Sequence, residues 1–196
     1  MADDKPRREV LWSGDNPLIV LKSGPGQPDA TAVSFFRVDF SPAGSGHAAF
    51  ILTELAGGPG RINACYTDRA ALGTWLRDTV MVTLPEFQQH DVRAAVVKPA
   101  RFASLGDTRS SWTELLSTDD GEIRLTWSGL ERPFKIEVAK GAVACIPYSL
   151  ETLVYRADTA EVSIGGRTAP GQVIRDRAGD DVQSTAFLAL SETWYR

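Results

Sequence analysis

From residue 10 to residue 194 the chain repeats one pattern: a short run of β-branched, aromatic and aliphatic residues, then a turn rich in Gly, Pro, Asp or Ser. Few architectures can absorb so many short strands. Segments 10–12, 18–21, 32–40, 47–55 and 61–66 read as strands. They are divided by Ser23-Gly24-Pro25-Gly26-Gln27-Pro28, by residues 42–46 and by Gly57-Gly58-Pro59-Gly60. Further strands are expected at 92–103, 111–117, 122–127, 134–138, 143–146, 152–155, 160–164 and 185–194. Asp120-Gly121 and Gly165-Gly166 read as hairpin turns, because Gly accepts the positive φ such turns demand. The polar stretch 171–183 reads as a mobile loop. A single-layer sheet of this many strands tends to curl or split, and open edges invite aggregation. The expected fold is therefore all-β with one or two short helices. It is an antiparallel β-barrel or strongly curved sheet, with a two-sheet β-sandwich as the alternative.

The β pattern breaks once. Leu72, Trp75, Leu76, Thr79 and Val80 fall at helical spacing across 67–80, with Thr67 or Asp68 placed to cap the first turn. Gly73 weakens that helix by about 1 kcal/mol against Ala. Pro85-Glu86-Phe87-Gln88-Gln89 reads as a second short helix with Pro in its first turn. Residues 67–90 thus form a helical insertion that should pack on the sheet or cap a barrel mouth.

With 196 residues, the chain fits one domain, 1–196, with a flexible polar tail at 1–9. Hydrophobic residues make up 43% and charged residues 23%, an ordinary globular balance. The net charge of -4 and the lack of a basic run beyond Lys5-Pro6-Arg7-Arg8 argue against a nucleic-acid partner. No apolar run reaches the length of a membrane span. The polar start does not read as a signal peptide, so a cytoplasmic protein is expected. Cys65 and Cys145 lack metal-ligand spacing and read as buried free thiols.

Strand parity nominates the site residues. Glu122, Arg124 and Thr126 oppose Ile123, Leu125 and Trp127, and so face water. Lys135 and Glu137, and likewise Arg37 and Asp39, are expected outside by the same rule. Two carboxylates break it. Glu114 shares a face with Trp112 and Leu116, and Glu192 with Leu188, Leu190 and Trp194. A carboxylate on an apolar face must be paired, hydrogen-bonded or protonated. Burial also raises its pKa toward neutrality, which suits a general acid or base. The plain alternative is a structural ion pair, with Arg101 or Arg156 as candidate partners. Both glutamates are expected to point inside the sheet as candidate catalytic groups, with His47 as a third. Trp112, Tyr155, Trp194, Tyr66 and Trp127 are the candidate ligand-binding aromatics. His90 closes the second helix, and its role is left open. No calcium loop, phosphate-binding loop or Gly-x-Ser-x-Gly occurs, and two isolated histidines do not make a metal site. No cofactor is expected.

The strand count, with the closing segment Ser184-Thr185-Ala186-Phe187-Leu188-Ala189-Leu190-Ser191-Glu192-Thr193-Trp194, resembles lipocalin-like (calycin) proteins. Within them it is similar to the bacterial group of carotenoid hydratases and cyclases. The chain departs from ordinary lipocalins in having no Gly-x-Trp near the first strand and no helix after the last. The resemblance implies an apolar cavity and acid–base chemistry on an isoprenoid-like or aromatic molecule without a redox cofactor. It carries over no catalytic residue. Three readings stand at this point: a cofactor-independent hydratase, dehydratase, isomerase or cyclase; a carrier or sensor of a small hydrophobic ligand; and an interaction module using an exposed sheet. Oligomeric state is not specified.

Overall fold

A computed structural model describes residues 9–56, 60–178 and 181–196. The expected tail, apart from residue 9, and the turn residues 57–59 lie outside them. The strands are β1 (Val10–Asp15), β2 (Leu18–Lys22), β3 (Asp29–Phe40), β4 (Gly46–Leu55) and β5 (Gly60–Thr67). After helix α1 (Ala70–Thr79) come β6 (Val96–Gly106), β7 (Ser111–Thr118), β8 (Gly121–Leu130), β9 (Phe134–Val138) and β10 (Ser149–Ile164). The last are β11 (Arg167–Thr168), β12 (Arg175–Ala178), β13 (Asp181–Ser184) and β14 (Ala186–Tyr195).

The sheet closes. Its neighbours run β14-β2-β3-β4-β5-β6-β7-β8-β10, and β10 pairs back onto β14, giving a nine-strand barrel. The fold is all-β with one short α-helix, and the closed barrel is consistent with a lipocalin-like fold. β1 and β2 share one place in the wall, since both pair with β14 on one side and β3 on the other. One expectation needs adjustment: β5 and β6 are parallel, from Ala64↔Val96 to Thr67↔Pro99. Parallel neighbours need a long crossover, and the helical insertion is that crossover.

The wall separates two cores. Ile19, Phe35, Ile51, Leu116, Ile123 and Trp127 fill the barrel interior, as a barrel of this width allows. Outside, Leu72, Leu76, Met81 and Phe87 of the insertion pack on the outward side chains Trp12, Phe36 and Phe50. The insertion is thus a second layer on the barrel wall. No helix among the described residues is long and apolar enough to cross a membrane.

Gly73 sets how closely that layer approaches. A Cβ there would lie 3.0 Å from both Cys65 Sγ and Thr67 Cγ2. Gly73→Ala should gain about 1 kcal/mol of helix propensity and lose about 1–3 kcal/mol to overpacking. The variant should therefore show a lower urea midpoint than the parent. An unchanged or higher midpoint would mean that the helix shifts freely on the wall.

Several local expectations differ from the structure. Residues 143–146 form a turn, not a strand. Their apolar character comes from packing on the outer core, which a four-residue run cannot distinguish from a strand. Residues 152–155 and 160–164 belong to one strand, β10. Val92–Ala94 is a 3-10 turn, as is Pro85–Phe87. The loop expected at 171–183 contains the β12–β13 hairpin; residues 179 and 180 lie outside the described residues. Arg69 occupies the N-cap of α1 without a side-chain cap bond. Asp68 is turned away to His47, and Thr67 Oγ1 accepts only the Arg69 amide, at 3.1 Å.

A candidate site on the outer barrel wall

Strand β14 does not keep one parity. Ala186 and Leu188 point into the barrel, and Phe187 points out. Ser191 then adopts φ 52°, a left-handed conformation unusual outside glycine. The register with β10 slips at the same place, from Leu153↔Leu190 to Glu151↔Thr193. The Asp15 carboxylate holds the kink by accepting the Ser191 amide at 2.9 Å. Beyond this bulge Trp194 joins the outer core, and Glu192 lies on its face. Glu192 is therefore buried, as expected, but against the outer wall and not inside the sheet.

Glu192 lines a cavity of about 610 Å³ between the wall, the insertion and the 143–146 turn. Leu18, Leu150, Phe187 and Trp194 give it an apolar floor, and Glu86, Lys135 and Arg156 are also on its walls. Glu192 is 5% exposed. It accepts a hydrogen bond from Trp194 Nε1 at 2.5 Å, and Asn16 and Thr152 also bond to it. Asn16 Oδ1 accepts from Ser34 Oγ at 2.7 Å, which leaves the amide NH₂ to donate to the glutamate. Burial outweighs these hydrogen bonds and, with the nearby charge of Glu86, raises the Glu192 pKa to about 7. Burial likewise raises Glu86, helped by the charge of Asp29.

An adjoining recess of about 460 Å³ shares Leu18, Glu86 and Phe187 with this cavity and extends it toward Asp29. Asp29 is nearly enclosed. It pairs with Lys22 at 3.0 Å and lies 3.2 Å from His90 Nε2, and Gln89 also donates to it. His90 thus pins the end of the insertion to β3.

The other nominated residues lie elsewhere. Glu114 points into the barrel near one mouth, 1% exposed, and accepts from Arg37 Nη2 at 3.0 Å, Ser104 Oγ at 2.7 Å and Trp112 Nε1 at 2.8 Å. Arg37 was expected outside; it projects inward to meet this carboxylate, because it shares the face of Phe35 and Val33. His47 stands near that mouth, stacked on Phe102 at 5.1 Å, with Nδ1 2.7 Å from Asp68 Oδ2. Trp127 is interior packing, and its Nε1 donates to Leu18 O at 2.9 Å. Tyr155 packs half-buried against the inner core. Tyr66 is buried, and its hydroxyl donates to Asp120 at 2.8 Å. Glu192 and Trp194 are therefore the nominated pair that the fold brings together at the large cavity. Cys65 and Cys145 are free, and burial pushes the Cys65 thiol up to about 12, leaving it unreactive.

Sequence reasoning missed Asn16, Glu86 and Thr152. Asn16 precedes Pro17 at the break between β1 and β2, and Thr152 lies on the outward face of β10. Neither carries a motif. Glu86 is one polar residue among several in the insertion, beside Arg77, Asp78, Gln88 and Gln89, and nothing in its spacing singles it out. Comparison of the chain with protein-family models and with characterised proteins finds no match.

Proposed function

We propose that the protein is a cofactor-independent acid–base enzyme acting on a small, largely apolar molecule bound against the outer barrel wall. The reaction class is hydration or dehydration, isomerisation or cyclisation, and Glu192 is the proton donor and acceptor. One observation carries the reading: an enclosed carboxyl with no ion pair among the described residues, poised near neutrality at the wall of a cavity with an apolar floor. Trp194 Nε1 and the Asn16 amide donate to the carboxyl and orient it, while the Thr152 hydroxyl spends its own proton on Leu190 O at 3.3 Å, so the acid proton of Glu192 is shared between Thr152 Oγ1 and a ligand. Glu86 is a second carboxyl in the cavity, and two coupled acids can divide the roles of proton donor and acceptor. The closing strand's resemblance to isoprenoid hydratases and cyclases makes terpenoid alcohols and alkenes the first substrates to try.

A second reading rests on the same donor arrangement. The neutral Glu192 could simply donate a hydrogen bond to a carbonyl or ether oxygen of a carried ligand. One experiment separates the two. The protein is incubated with a panel of terpenoid alcohols and alkenes, and gain, loss or migration of water is followed by mass spectrometry. The enzyme reading expects turnover that falls about a hundredfold or more in Glu192→Gln, with binding retained. Binding that quenches Trp194 fluorescence, without turnover by the parent protein, favours the carrier. No binding across the panel would overturn both.

A further inference from the structure

A second cavity, of about 370 Å³, lies at the one parallel seam of the barrel and shares no residue with the groove. β6 pairs with β5 only from Ala64 onward, so residues 60–63 have no β6 neighbour. The turn at 165–167 and Asp120 of the β7–β8 hairpin complete the walls. Arg61, Lys98 and Arg167 all line this recess. Lys98 is already neutralised, bonded to Asp120 Oδ2 at 2.6 Å, and Tyr66 donates to the same oxygen at 2.8 Å. Arg61 and Arg167 form no ion pair among the described residues. Glu54 stands opposite Arg61 in register without pairing to it, and Asp119 lines a neighbouring recess. The cavity therefore carries an excess of two positive charges, both on guanidinium groups.

Asn63, a residue of the same lining, carries an unmet acceptor. Asn63 Nδ2 donates to Asp91 O at 2.8 Å, which fixes the amide orientation. Asn63 Oδ1 is then buried without a hydrogen-bond partner. Buried acceptors are rarely left so, and each such case needs an explanation. A ligand hydroxyl would supply the missing donor. Leu55, Ile62 and Ile164 offer apolar contact for a carbon skeleton.

We propose that this recess binds a small hydroxylated phosphate monoester. Its dianionic head sits between Arg61 and Arg167, and one hydroxyl donates to Asn63 Oδ1. Two planar guanidinium forks match the charge and the oxygen geometry of a phosphate better than those of a single carboxylate. The site is independent of the acid–base groove, and either can stand without the other.

Isothermal titration at constant ionic strength, with glucose 6-phosphate as probe, tests it. The parent protein should bind glucose 6-phosphate more tightly than inorganic phosphate, gluconate or glucose. Arg61→Gln with Arg167→Gln, both on exposed side chains, should weaken binding about tenfold or more. Asn63→Ala should bring glucose 6-phosphate down to the affinity of inorganic phosphate and leave inorganic phosphate unaffected. No binding by the parent up to about 10 mM overturns the proposal. So does glucose binding as tightly as its phosphate, or a double variant that titrates like the parent.

Discussion

Glu192→Gln is expected to stabilise the protein above neutrality and to remove much of its loss of stability with rising pH. The folded-state pKa of Glu192 is about 7, against 4.5 for a free carboxyl. Between those values the native state holds a proton that the unfolded chain releases. Stability therefore falls as pH rises through that window, the opposite of a salt-bridged carboxylate. The full cost above pH 7 is on the order of 3 kcal/mol. Gln keeps the acceptor for Trp194 Nε1 and has no charge to bury. Urea unfolding of parent and variant at pH 5 and pH 8 measures this. The parent should lose stability between the two, and the variant should lose less. Some slope should remain, because burial also raises Glu86. Equal slopes in the two proteins would show that Glu192 ionises freely, and the acid–base reading would lose its basis.

How much of this was legible from sequence follows from what parity can and cannot see. The barrel was, because turn residues punctuate nearly every strand and the alternation of Ile123, Leu125 and Trp127 with Glu122, Arg124 and Thr126 holds through β8. The burial of Glu114 and Glu192 was also legible, since each breaks the alternation of its own strand. Which side Glu192 occupies was not. Ser191 carries no sign that it will take a left-handed conformation; the Asp15 carboxylate that holds it lies 176 positions away in sequence. Arg37 shows the complementary failure. In a wall with apolar layers on both sides, Phe35 and Phe36 are both buried, so alternation between apolar and polar no longer names the outside. The cavities were invisible for the same reason. They arise where the insertion, the 143–146 turn and the parallel seam meet the wall, and those contacts are set by the folded chain.

Arg37→Met is expected to be the more damaging change, because it strands Glu114. That carboxyl is 1% exposed, and Arg37 is the cation bonded to it. Burial already raises its pKa. Breaking a buried pair from one side costs about 3–5 kcal/mol. The lower end applies here, since the Arg37 side chain is 30% exposed and partly screened. Without the guanidinium, the pKa of Glu114 should rise further, so the deficit should be smaller at pH 5 than at pH 8. Adding Glu114→Gln should restore part of the loss at pH 8, because the neutral amide no longer needs a counter-charge. If the double variant is no more stable there than Arg37→Met alone, the ion pair is not what Arg37 supplies. The change should also reach the groove. Arg37 Nη1 holds Asp15 at 3.0 Å, and Asp15 in turn accepts the Ser191 amide at the bulge that turns Glu192 outward. Loosening that clamp should alter the Glu192 titration in the Arg37→Met/Glu114→Gln protein, even though its barrel interior is electrically balanced again. An unaltered titration would show that the bulge is held by β10 pairing alone.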